Sequence, residues 1–175
     1  MIRLMRLLLM FVALALGACA VVDRSPEATL DTSVKWVMLP MLNRTETPQA
    51  GLRAEAVIET VLRVRGVGNL TRYPSTAGSE TLFEPAERKV LDQALAWARA
   101  EQARYAVTGE VDEWRYKVGI DGEPAVGVTL QIIDLKTGRV VYSGGGGRTG
   151  WSREALSAVA QKLIKEILSG ARLAQ

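Results

Sequence analysis

The sequence predicts one α/β domain of the α+β kind: a mixed, mostly antiparallel sheet with three helices, in the order β-α-β-α-β-β-β-α. Three observations point to it. Apolar residues recur at helical spacing in three separate stretches. Three strand-like runs follow closely between residues 104 and 143, joined by turn residues. The length, 175 residues, suits one ordinary domain with its own core.

Val34-Lys35-Trp36-Val37-Met38-Leu39-Pro40 reads as the first strand, ended by its proline. In residues 51–65, Ala54, Val57, Ile58, Val61 and Leu62 share a helical face, and Gly66 stops the helix. Residues 69–73 read as a second strand before a Pro/Ser/Gly loop. Residues 84–103 read as a helix with Val90, Leu91, Ala94, Leu95, Trp97 and Ala98 on one stripe. A meander follows: a long strand over 104–118, a loop over 119–124, a strand over 125–134, a turn at Lys136-Thr137-Gly138, and a strand over 139–143. The last helix is expected from about Arg153 to Leu168, with Leu156, Val159, Ala160, Leu163 and Ile167 inward and Gly170 past its end.

Composition excludes several chemistries. With no His there is no Ser-His-Asp triad, no Cys-His dyad and no imidazole metal ligand. One Cys makes neither an internal disulfide nor a thiolate zinc site. These counts remove only histidine- and thiolate-based chemistry; with the rest of the reading, no catalytic residue, metal or cofactor is expected. The formal charge is +3, but Arg3 and Arg6 lie at the extreme N-terminus. Without residues 1–18, 20 basic residues face 19 acidic ones, a poor balance for binding nucleic acid.

Residues 1–18 read as a signal peptide. Arg3 and Arg6 form the basic part, and Leu7 to Leu16 form an apolar core too short to span a bilayer. Leu16-Gly17-Ala18-Cys19 resembles a bacterial lipobox. That resemblance implies acylation of Cys19 and cleavage before it, and Ala20 rather than Asp after the Cys matches outer-membrane sorting. The expected division is 1–18 signal, 19–32 lipidated Cys and tether, and 33–175 periplasmic domain. Several acyl chains, at about 0.8 kcal/mol per buried CH₂, make a stable anchor.

Candidate sites are few. Gly145-Gly146-Gly147-Arg148-Thr149-Gly150-Trp151-Ser152 approximates a phosphate loop, but Trp151 stands where a Lys is needed. Gly144–Gly147 reads instead as a place where the chain bends or another segment comes close. Two roles stay open for Trp151. With Ser152 as helix cap it forms a hydrophobic staple to Leu156. Between Arg148 and Arg153 it suits a lipid–water interface. Glu110, Asp112, Glu113, Asp121 and Glu123 crowd one strand and its hairpin, as a solvated face, a carboxylate pair or an acidic surface for a cationic ligand.

Taken together, the lipobox, VKWVMLPMLNRT, the helix from Ala50–Gly51 and the run from Thr108 to Leu156 resemble the PelC family of outer-membrane lipoproteins of Pel exopolysaccharide export. The resemblance spans nearly the whole mature chain. It implies a non-enzymatic subunit of a dodecameric ring on the periplasmic side of the outer membrane, beneath the porin-scaffold PelB. It favours Trp151, with Arg148 and Arg153, as a membrane anchor. It implies that Glu110, Asp112, Asp121 and Glu123 guide the cationic polymer. The partners expected are further copies, PelB, outer-membrane lipid and the exopolysaccharide. The alternative is a regulatory lipoprotein that activates a peptidoglycan synthase, and a periplasmic glycan hydrolase ranks third.

Overall fold

A computed structural model describes residues 20–26, 28–74, 84–119 and 122–174. The elements run β1 (Ala20–Arg24), β2 (Ala28–Asp31), β3 (Trp36–Asn43), α1 (Ala50–Val64), β4 (Leu70–Arg72), α2 (Glu84–Ala100), β5 (Tyr105–Tyr116), β6 (Pro124–Asp134), β7 (Arg139–Thr149), α3 (Leu156–Leu168) and β8 (Ala171–Ala174). The expected core order is present, with three short strands added at the two ends. Six strands form one sheet in the order β1-β7-β6-β5-β3-β4, and β2 pairs with β8 in a small second sheet. Only β3–β4 and β3–β5 are parallel in the large sheet, as befits strands joined through helices.

The sheet has two unequal faces. Trp36, Met38, Val107, Val111, Trp114, Val126, Val128, Leu130 and Ile132 point to one face and form the main core with α1 and α3. Helix α3 contributes Val159, Ala160, Leu163, Ile164, Ile167 and Leu168, all fully buried. On the other face α2 packs Ala94 and Ala98 against Val37, Leu39 and Ala106. By strand alternation, Glu110, Thr129, Gln131 and Ser143 share that second face, and all four are part-exposed.

Four expectations change. Pro40 does not end β3: the strand continues through it to Asn43 with a register shift between Met38 and Met41. Proline is tolerated at such a bulge because its missing N–H costs no ladder bond there. Side chains meet the displaced backbone groups: the Glu55 Oε1 accepts the Met41 N–H at 3.0 Å, and the Thr108 hydroxyl donates to the Pro40 carbonyl at 3.1 Å. Burial pushes the Glu55 carboxyl above its usual range.

Residues 20–32, read as a tether, hold β1 and β2. β1 is a five-residue strand at the edge of the sheet with only Val22 packed on the core, too short a pattern to stand out from a polar segment. The third strand of the meander does not stop at 143 but runs to Thr149 through the four glycines. They admit β1: a Cβ on Gly146 would lie 2.3 Å from the Val21 carbonyl oxygen. Finally, α3 starts at Leu156 with Ala155 as its cap, not at Arg153 after Ser152. Arg153 has φ 70°, a left-handed backbone that a helix cannot propagate.

Candidate functional site

One end of the large sheet gathers several of the residues the sequence singled out: Arg148, Trp151, Arg153 and Glu123. Tyr116 pairs with Pro124, Ala125 with Thr149, and Ala20 with Arg148. The β5–β6 hairpin, the exit of β7 and the entry of β1 therefore stand at one level. Cys19 lies outside the described residues; Ala20, the next in sequence, is at this end.

Trp151 sits in a tight turn between β7 and α3, and 59% of it is exposed. The turn is closed from several sides. The Gly150 N–H donates to the Pro124 carbonyl at 2.8 Å, and the Glu154 N–H to the Trp151 carbonyl at 2.9 Å. The Glu154 carboxylate accepts the Trp151 N–H at 3.2 Å and pairs with Lys162 at 2.6 Å. Lys162 and that N–H hold the Glu154 carboxyl below its usual range. The Tyr116 hydroxyl accepts the Leu156 N–H at 3.1 Å, tying the hairpin to the same turn.

The staple reading of Trp151 loses its basis here. A staple joins the residues before and four after the helix cap. With Ala155 as cap those are Glu154 and Val159, and Trp151 is not one of them. What remains is an exposed indole on a rigid turn. Of its two arginines, Arg148 is turned toward α3 and pairs with Glu166 at 2.9 Å, while Arg153 is exposed.

The acidic residues divide. Glu110 and Asp112 stay together although a bulge falls between Val111 and Glu113. Arg44 lies 3.5 Å from Glu110, and Thr129 reaches Asp112 at 3.5 Å. Partial burial, with the neighbouring Glu110 charge, pushes the Asp112 carboxyl up. Glu123 is apart from them, at the turn end of the hairpin beside Trp151, where its carbonyl accepts the Lys117 N–H at 2.8 Å. Asp121 lies outside the described residues. Among the described residues no three Cys, Asp or Glu side chains are grouped to hold a metal ion, and no helix is long and apolar enough to cross a membrane. The sequence did not single out Glu154 as the clasp of Trp151. Its signal was the three-residue spacing of a closed turn, which is also the spacing of a helix start.

The architecture is one that lipoproteins adopt. The chain is similar to lipoprotein GNA1162 from Neisseria meningitidis, with a TM-score of 0.52 at 14% identity over 77% of this chain and 95% of that one, a likeness of fold alone. Two solved structures of PelC dodecamers from Paraburkholderia phytofirmans are far nearer. Each is 39% identical with a TM-score of 0.76, covering 89% or 90% of this chain and all of theirs. The chain belongs to the PelC family. No protein-family model and no curated protein matches it.

Proposed function

We propose that this chain is a non-enzymatic lipoprotein of the outer membrane, acylated at Cys19, that assembles into a periplasmic ring and assists export of a cationic exopolysaccharide through an outer-membrane porin, PelB in the Pel system. The observation that carries this reading is the 39% identity, across nine tenths of the chain, to PelC proteins that are dodecamers. The site geometry supports it. An exposed Trp on a clasped turn, beside the strand that follows Cys19, is suited to lie at a lipid–water boundary. Glu110 and Asp112 form the acidic pair for the polymer, on a sheet face whose part-exposed side chains can meet it.

The work in this reading is placement. Acyl chains and Trp151 hold each subunit at the bilayer, and a ring multiplies weak contacts because each further one is intramolecular. The test is deletion and complementation in a host that secretes such a polymer. Cells lacking the chain are expected to retain the polymer, and cells regaining it to release it. Light scattering of the acylated protein in detergent is expected to give a large, discrete assembly. Unchanged release in the deleted strain, or a monomer at all concentrations, contradicts the proposal.

A further inference from the structure

Seven large apolar side chains stand exposed among the described residues, and four of them gather at the Trp151 end: Val21, Tyr116, Val118 and Trp151. Val118 is the extreme case, at 101% exposure. It lies two residues beyond the last pair of β5, and Trp151 lies two residues beyond the end of β7. Both therefore lie past the last paired residues of the ladder at the same end of the sheet.

The two projections form one unit. Tyr116, the last residue of β5, receives the Leu156 N–H and donates to the Glu154 carbonyl at 3.4 Å. Glu154 is the residue that clasps Trp151. Lys117 is fixed as well, its ammonium donating to the Thr149 hydroxyl at 2.9 Å. Arg115 and Lys162 are paired with Glu113 and Glu154, which leaves exposed Lys117 and Arg153, each within two residues of an apolar point, as the cations suited to the phosphates of lipid headgroups. The chain leading to Cys19 leaves the fold at this level, since Ala20 pairs with Arg148.

We propose that Val118, at the tip of the β5–β6 hairpin, is a second membrane contact, entering the headgroup region of a phospholipid bilayer beside Trp151. This rests on the reading of Trp151 as an anchor and extends it. One indole and one lipidated residue leave the subunit free to roll about the line joining them. A third point off that line fixes the tilt, so each subunit presents the same side to its neighbours.

The single Cys of the chain makes a clean test, because an introduced Cys is the only free thiol once Cys19 is acylated. Val118→Cys, Trp151→Cys and Val140→Cys, the last at the opposite end of β7, are each labelled with an environment-sensitive fluorophore. The acylated proteins are placed in phosphatidylethanolamine/phosphatidylglycerol vesicles carrying a headgroup-level quencher. The expected result is a blue shift and loss of emission at positions 118 and 151, with position 140 quenched only by aqueous iodide. A water-like label at 118 with a quenched label at 151 overturns the second contact and spares the anchor. Water-like labels at both overturn both. A label at 118 sheltered equally without lipid overturns the membrane contact in favour of one between copies.

Discussion

Gly146→Ala probes the link between the proposed lipid anchor and the fold. Gly146 sits opposite Val22 of β1, and its new Cβ would meet the Val21 carbonyl oxygen at 2.3 Å, Val22 Cγ2 at 3.0 Å and Val22 Cα at 3.1 Å. Two of these are backbone atoms that cannot rotate away, so β1 must move out by about 1 Å to restore a normal contact. That shift lengthens its hydrogen bonds beyond useful range. The five residue pairs of β1 contribute about 1 kcal/mol per hydrogen bond, nearly offset by about 1 kcal/mol per residue of ordering entropy. The net loss is then mainly the packing of Val22, about 1–2 kcal/mol. The melting temperature should fall by about 2–6 °C in a domain this size. The sharper assay is limited trypsin digestion, since Arg24 ends β1. A loss of 1–2 kcal/mol raises the open population, and with it cleavage after Arg24, by roughly 5- to 30-fold. In cells, a freed segment over 20–26 gives the anchor a slack of about 15 Å, and export should fall. Cleavage after Arg24 as slow as in the parent protein would refute the view that β1 is held by the glycine run.

Other consequences are equally direct. Glu55→Gln should stabilise the protein at neutral pH: burial raises the carboxyl's folded pKa, so the native stability declines as pH rises above the ordinary carboxyl value of 4.5. Below that value both forms are neutral and the advantage should vanish, as a pair of chemical-denaturation series at two pH values can show. Gly150→Ala would drive a Cβ to 2.4 Å from the stiff, fully buried Val159 and 2.6 Å from the Glu154 carboxylate. Its cost should be about 1–3 kcal/mol, accompanied by a more mobile Trp151 in fluorescence anisotropy. Reversing Glu110 and Asp112 to Lys together should leave thermal stability within about 1 kcal/mol, both being surface positions, while lowering polymer release. Normal release from that variant removes the pair from the polymer path.

Much of this fold was legible. The stripes of α1, α2 and α3 and the close meander of β5, β6 and β7 follow from local periodicity, which a single chain displays. What was not legible depends on partners distant in sequence. The end strands β1, β2 and β8 are five, four and four residues long and bury one or two side chains each, too few to show a period, so only their pairing identifies them. Pro40 ends strands elsewhere, but here the carboxylate of Glu55 and the hydroxyl of Thr108 make its bulge tenable. Gly144–Gly147 announced a close approach or a bend without saying which, because the answer was β1. At the site, Trp151 stood out in the sequence, but its exposure turned on the left-handed Arg153 that delays α3 by three residues. The hairpin was marked for its acidic residues, but Val118 was not, because nothing in the sequence separates a free Val118 from a packed one.

In the proposed function this subunit works by being held at the membrane through Trp151. The most direct measurement is the amount of cationic polysaccharide released by cells carrying Trp151→Ala, with Trp151→Phe alongside. Each subunit would lose an apolar burial of about 1.5–3 kcal/mol, repeated around the assembly. A marked drop in release is expected for Trp151→Ala and substantial retention for Trp151→Phe, at unchanged protein level, acylation and circular dichroism. Release from Trp151→Ala cells equal to that of the parent would contradict this role of Trp151.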